Sequence, residues 1–158
     1  MSIPIPQYNR THIPGITVDM LTTTSLTQYQ DLNRQLSPDV RANLTRLINE
    51  VLQPITLLIG ELPTISSGYR CPQLNVAVGG SKTSQHTDGG AVDIVFRTTS
   101  LLAAFNKIMF SPIPYSQIIL EFGRWIHVGL IDQERHPGLV SQRLIASKVA
   151  GKTIYTPV

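Results

Sequence analysis

Two histidines and one aspartate are the residues whose types and spacing could support metal chemistry. His86 lies in a glycine-rich stretch, Asp93 follows seven residues later in an apolar run, and His127 lies in a second apolar run. Two imidazoles and one carboxylate, with a fourth position left for water, are typical of a catalytic zinc site. Zinc lowers the pKa of its bound water to about 7 and so provides a nucleophile at neutral pH. From spacing alone, a polar loop residue at His86 and a hydrogen-bonded strand residue at His127 remain alternatives.

Four motifs in a fixed order surround these residues. Residues 84–93 match the pattern S-x-H-x-x-G-x-A-x-D, and residues 66–70 read SSGYR. Residues 79–86 read GGSKTSQH and lead to the first histidine, while residues 125–127 read WIH. These motifs resemble those of the zinc D-Ala-D-Ala carboxypeptidase family, which also includes phage L-alanyl-D-glutamate endopeptidases and other murein endopeptidases. The resemblance extends over roughly residues 44–130.

The resemblance implies a zinc site with the ligands His86, Asp93 and His127. It also implies an α+β fold with a small antiparallel sheet flanked by helices, as in hedgehog and DD-peptidase domains. Arg70 is similar to the arginine that holds a substrate carboxylate, a role that suits a planar and permanently charged group. Ser84 and Gln85 lie where relatives orient the site or contact substrate. The alternatives are a structural arginine at Arg70 and simple loop hydrogen bonding at Ser84 and Gln85.

The general base is the point at which the sequence departs from many relatives, which have a carboxylate three residues before the last zinc histidine. Here that position is Arg124, and the nearest acid is Glu121, six residues before His127. Six residues of straight strand span about 20 Å, so a turn at Phe122-Gly123 has to bring the two together. A two-residue turn pairs Glu121 with Arg124 on the face opposite His127. A three-residue loop pairs it with Trp125 on the same face. Glu121 is predicted to be the base, with a hairpin acid paired with Arg124 as the alternative.

The remaining pattern predicts the elements that position these residues. Ser37-Pro38-Asp39 is a helix start, and apolar residues at helical spacing continue to Gly60, with a kink or break expected at Pro54. Ser100 is expected to cap a second helix over residues 101–110, with the apolar stripe Leu102, Phe105 and Met109. Strands are predicted at residues 64–69, 91–96, 117–120 and 125–130. The long glycine-rich loop 71–90 is the expected location of the chemistry, because long loops in compact domains are usually functional.

Composition limits the other function classes. The 158 residues suit one domain, with an N-terminal arm and short helix at 1–36, a peptidase core at 37–131 and a C-terminal extension without strong pattern at 132–158. The net charge of +3 comes from scattered residues, so no nucleic-acid partner is expected. The single Cys71 excludes an internal disulfide and is interpreted as a small buried residue.

The resemblance predicts zinc-dependent hydrolysis of peptide bonds in peptidoglycan stem peptides or cross-links, with carboxypeptidase and endopeptidase both open. The N-terminus lacks the pattern of a secretory signal, and no apolar run approaches the roughly 20 residues of a membrane span. We therefore expect synthesis in a host cytoplasm and action at the cell wall, as in a phage or prophage lysin. The alternative is a virion structural or assembly protein that retains the peptidase fold and has phage tail or capsid proteins as partners.

Overall fold

The computed structural model describes residues 15–158, so the first 14 residues of the predicted N-terminal arm lie outside the described residues. The helices are α1 (Val18–Thr22), α2 (Gln30–Asn33), α3 (Pro38–Leu47), α4 (Gln53–Ile59), α5 (Pro72–Ala77) and α6 (Leu101–Met109). The strands are β1 (Thr64–Ser67), β2 (Ala91–Val95), β3 (Gln117–Glu121), β4 (Trp125–Gly129), β5 (Gln142–Val149) and β6 (Lys152–Pro157). Two 3₁₀ turns, Thr27–Tyr29 and Gln85–Asp88, and a π-helical turn, Ile48–Leu52, complete these elements.

The six strands form one sheet in the order β1-β2-β4-β3-β5-β6. All neighbours are antiparallel except β3 and β5, which run parallel. This arrangement confirms the expected α+β fold with a mostly antiparallel sheet. The strands β5 and β6 were not predicted, and they lie in the segment 132–158 that the sequence pattern left without structure.

The first long helical segment begins and ends as its sequence indicates. The Ser37 hydroxyl accepts a hydrogen bond from the backbone N–H of Val40 at 3.2 Å, and Pro38 occupies the first helical turn. The expected disturbance near Pro54 takes the form of the π-helical turn, which joins α3 to α4 without breaking the segment. Gly60 ends the segment at φ 77°, a conformation that glycine adopts without strain. None of the helices in the described part of the chain has the length and apolar character needed to cross a bilayer.

Alternation along the central strands separates a core face from a functional face. The core face carries buried aliphatic residues that pack with the helices: Val92, Ile94, Ile118, Leu120, Ile126 and Val128. The residues between them, including Asp93, Ile119 and His127, point to the other face. The sheet therefore supports the main hydrophobic core on one side and the predicted metal ligands on the other.

The apolar stripe of α6 differs from the prediction at one residue. Leu102 is 57% exposed, whereas Ala104, Phe105, Ile108 and Met109 are buried. The prediction of Leu102 as a core residue was therefore wrong. Position 102 lies in the first turn of the helix, and Ala104 completes the buried face instead.

The carboxylate of Glu61 organises the loop after β2. It accepts hydrogen bonds from the Thr98 hydroxyl at 2.7 Å and from the backbone N–H groups of Arg97, Thr98 and Thr99. These donors, led by the Thr98 hydroxyl, lower the pKa of Glu61 from 4.5 to about 2. A lowered pKa stabilises the fold above the unfolded-state value, and this stabilisation disappears as the pH falls from about 4.5 towards 2.

We expect Glu61→Gln to lower the free energy of unfolding at pH 7, because an amide replaces a carboxylate that accepts several hydrogen bonds. The difference from the wild type should narrow as the pH falls below about 4.5, where the wild-type carboxylate itself becomes protonated on unfolding. Urea denaturation at pH 7 and pH 3.5 measures both differences. Glu134→Gln, at an exposed loop acid, is the control. If the difference in the free energy of unfolding between Glu61→Gln and the wild type were the same at pH 7 and pH 3.5, the assigned role of Glu61 would be wrong.

Candidate metal centre

Three elements bring the predicted ligands together. His86 lies in the 3₁₀ turn before β2, and the antiparallel register places Asp93 of β2 directly opposite His127 of β4. Oδ1 of Asp93 lies 3.3 Å from Nε2 of His86 and 3.0 Å from Nδ1 of His127. All three residues are buried, and their candidate ligand atoms lie within 4.8 Å of one another. The geometry is therefore that of a compact group able to hold a metal ion.

The surroundings of His86 fit metal binding. Its Nδ1 lies 2.7 Å from the carbonyl oxygen of Gly68, an acceptor, so Nδ1 carries the proton and donates. The proton-free Nε2 then faces Asp93 and has a lone pair for an ion. Metal-binding histidines commonly have such a backbone carbonyl on the other ring nitrogen, which fixes the ring and the tautomer.

The charge states also suit a cation. Burial lowers the pKa of His86, which favours the neutral imidazole that binds metals. Burial alone would raise the pKa of Asp93, but the two imidazoles beside it outweigh burial and lower that pKa. A buried carboxylate that stays ionised beside two imidazoles forms a donor set that zinc accepts.

Arg70 lies at the edge of this group and is held from both sides. Its Nη2 lies 3.4 Å from Oδ2 of Asp93, and its Nε donates to the Ser67 hydroxyl at 3.0 Å. Its backbone N–H donates to the carbonyl of His86 at 3.0 Å. The guanidinium is thus fixed next to the metal group, with further N–H donors that these bonds do not use.

The segment that carries Arg70 is supported by Asn33, a fully buried residue that no sequence motif indicates. Its Nδ2 donates to the carbonyls of Thr22 and Tyr69 at 2.8 and 2.9 Å, and its Oδ1 accepts from the backbone N–H of Cys71 at 2.7 Å. Tyr69 and Cys71, which flank Arg70, are therefore both hydrogen-bonded to the side-chain amide of Asn33. An isolated asparagine in a polar segment carries no signal for this role. Cys71 itself is buried and free, as interpreted from the sequence.

Glu121 lies on the same face of the sheet as the metal group. The register pairs Glu121 with Trp125 and Ile119 with His127, so the hairpin has a three-residue loop. Glu121 is then a diagonal neighbour of His127, a position typically about 7–8 Å away and within reach of a long side chain. Burial raises the pKa of Glu121, and the nearby Asp93 carboxylate raises it further, against the opposing effect of His127. The geometry matches the three-residue alternative, while the role as a base stays a prediction.

Ser84 and Gln85 use their side chains within the loop. The Ser84 hydroxyl accepts from the backbone N–H of His86 at 3.3 Å and caps the 3₁₀ turn. The Gln85 amide is buried, donates to the carbonyl of Leu130 at 3.1 Å and accepts from the Ser116 hydroxyl at 3.2 Å. Both residues thus position the loop that carries His86. A direct contact of either with substrate stays a prediction.

A cavity of about 680 Å³ opens over the metal group. Arg70 and Glu121 line it next to the ligands, and Trp125 forms part of its wall. Lys148 and Tyr155 of the unpredicted strands also line it. The group is therefore at the floor of a cleft whose far side comes from the C-terminal strands.

His136 and Asp88 connect the chain after β4 to the metal loop. Nε2 of His136 lies 2.8 Å from Oδ2 of Asp88, and both side chains are partly buried. No sequence motif assigns a role to either residue. The contact joins residues 48 positions apart, and no local pattern indicates it.

Close packing at Gly68 provides a test of the support for His86. A Cβ at this position would lie 2.2 Å from the backbone oxygen of Leu21. We therefore expect Gly68→Ala to push α1 away, to cost roughly 1–3 kcal/mol of stability and to weaken metal binding by shifting the Gly68 carbonyl. Urea denaturation and zinc titration measure the two effects. The control Gly15→Ala, at a glycine with open space around its Cβ position, should change neither. Wild-type stability in Gly68→Ala would contradict this packing.

A comparison with models of protein families identifies the family of this chain. A search of curated proteins found no match. A family model described as Peptidase M15 matches residues 12–129, which is well over half of the chain and includes the three candidate ligands, Arg70 and Glu121. The chain therefore belongs to the peptidase M15 family of metallopeptidases.

Proposed function

We propose that this protein hydrolyses peptide bonds in peptidoglycan, in stem peptides or their cross-links, with zinc as its metal. The observation that carries the proposal is the buried His86–Asp93–His127 group at the floor of a cleft that also contains an acid and an arginine. Membership of the peptidase M15 family supports peptidase chemistry at this group.

When bound by the three ligands, zinc supplies the Lewis acidity that polarises a peptide carbonyl and activates water. Residues of the chain provide the proton transfer and orient the substrate. Glu121, on the same face of the sheet, takes the proton from the attacking water and delivers it to the leaving amine. Its raised pKa suits this exchange, because a base whose pKa is nearer to the operating pH both accepts and returns a proton readily.

Arg70 orients the substrate in this proposal. Its bonds to Asp93 and Ser67 hold the guanidinium beside the metal group while leaving N–H donors free for a carboxylate. Murein peptides carry free carboxylates, so an arginine next to the ligands would place the scissile bond over the metal. The peptidoglycan substrate also puts the proposed site of action at the cell wall.

Digestion of purified murein tests the proposal. We expect the zinc-loaded protein to release peptides or amino acids from murein, and we expect release to stop with excess chelator and to return on adding zinc. Mass spectrometry of the products separates the activities, because a carboxypeptidase releases free D-alanine and an endopeptidase releases longer fragments. Full activity in excess chelator, or in His86→Ala, would overturn the proposal.

A further inference from the structure

The C-terminal strands extend the functional face of the sheet. The parallel register between β3 and β5 places Ala146 beside Glu121, so Ala146 and Lys148, two residues later, point to the face that carries the metal group. The antiparallel register between β5 and β6 places Tyr155 beside Ala146 and Thr153 beside Lys148. The hairpin β5–β6 therefore presents Lys148, Thr153 and Tyr155 to the cleft.

Side-chain contacts agree with this register. Lys148, Thr153 and Tyr155 all line the cavity over the metal group. Burial raises the pKa of Tyr155, and the Glu121 carboxylate raises it further, as expected for two side chains separated only by the small Ala146. The hairpin is thus a wall of the same cleft that contains the proposed general base.

Lys148 is held in this wall without an acidic partner. Its Nζ donates to the Thr153 hydroxyl at 2.9 Å and lies 5.5 Å from the centre of the Phe122 ring. Among residues 15–158, no carboxylate lies within ion-pair distance of Nζ, and the side chain is exposed to the cleft. A positioned ammonium group that lacks a counter-charge is suited to bind an anionic group of a ligand.

Two positive groups therefore line the cleft at different places. Arg70 lies against Asp93 on the β2 side, and Lys148 lies beyond Glu121 on the β5–β6 side. The metal group and Glu121 are between them in the order of the strands. A bound peptide that reaches across the metal group thus meets a cation at each side.

We propose that Lys148, supported by Thr153, binds a second carboxylate of the substrate, on the opposite side of the scissile bond from the carboxylate held by Arg70. This inference rests on the proposed function for the identity of the substrate, and it assigns a specificity role to the C-terminal hairpin. The hairpin lies beyond residue 129, where the match to the family ends. The protein should accordingly prefer peptides that carry acidic groups on both sides of the cleaved bond.

Pairs of synthetic stem peptides, with each carboxyl in turn free or amidated, test this role. Hydrolysis is measured with the zinc-loaded full chain, and binding is measured calorimetrically with the full chain after chelation, so that binding is observed whether or not cleavage occurs. The variants are Lys148→Met, which removes the charge, and Lys148→Arg, which retains it. Lys152→Met is the matched control, because Lys152 belongs to the same hairpin and does not line the cavity.

We expect Lys148→Met to weaken binding and kcat/KM by roughly tenfold for the peptide with the free second carboxyl and to leave the amidated peptide unchanged. Lys148→Arg should keep peptide binding and kcat/KM close to those of the wild type, and Lys152→Met should leave both unchanged. Equal losses on both peptides, or no loss, would overturn the inference, as would a wild-type chain that binds neither peptide. Charge-selective binding by Lys148 without any hydrolysis would support the binding role and would instead contradict the proposed peptidase reaction.

Discussion

The variant Asp93→Asn should lose zinc affinity by about 100-fold or more, and peptidase activity with it. Asp93 is the one anionic ligand of the group, and its carboxylate contacts both histidines and Arg70. An amide of the same shape removes the negative charge and leaves the largely buried guanidinium of Arg70 without its partner, which typically costs about 3 kcal/mol or more. Metal content after dialysis, peptide release from murein and urea denaturation measure the three losses.

The matched control for this variant is Asp88→Asn. Asp88 ends the 3₁₀ turn that carries His86, is also partly buried and contacts a histidine, His136, but does not belong to the metal group. We expect it to retain zinc, since an amide can keep the contact with His136. If Asp93→Asn binds zinc as tightly as Asp88→Asn does, the ligand assignment is wrong.

The variant Glu121→Gln should retain zinc and lose roughly 10²–10⁴-fold in kcat, the range typical of removing a general base. The amide cannot take a proton from water, yet it keeps the size of the side chain between Trp125 and Ala146. Steady-state kinetics on a stem peptide, together with metal content, separates a loss of proton transfer from a loss of zinc. KM should change less than kcat, because the proposed substrate anchors are elsewhere in the cleft.

Two further variants test the assignment of the base. Glu121→Asp retains a carboxylate and should recover part of the activity, whereas Glu50→Gln, at an exposed acid on the π-helical turn, should behave as the wild type. Activity of Glu121→Gln within a few-fold of the wild type would show that another group moves the proton.

Local chemistry made much of the site predictable. The capping residues Ser37 and Ser100, together with the apolar spacing, place the helices, because a cap acts within one turn. The motif around His86 and Asp93 is local as well, so the metal group could be proposed before its geometry was known. The face on which Glu121 lies could only be stated as two alternatives, because it depends on the length of one hairpin loop.

Contacts between residues far apart in the chain could not be predicted from local sequence patterns. The strand β5 pairs with β3, more than 20 positions earlier in the chain, and β6 pairs in turn with β5. The mixed polar and apolar residues of both strands give only a weak alternating pattern. The same reason hides the buried Asn33, whose partners reach to Cys71, and the contact between Asp88 and His136. Each of these is a tertiary contact that overrides a weak local preference.

The parallel pairing of β5 with β3 also bears on the order of folding. The metal ligands lie within residues 86–127, on the 3₁₀ turn, β2 and β4. The hairpin β5–β6, which carries Lys148, instead requires a crossover of the chain and a parallel pairing with β3. Such pairing forms slowly, because a longer loop has to close before its contacts stabilise it. A chain that has assembled only β1 to β4 therefore already contains the metal group but not the complete cleft. The metal group therefore depends on residues that precede the crossover, whereas the full lining of the cleft also depends on the hairpin that follows it.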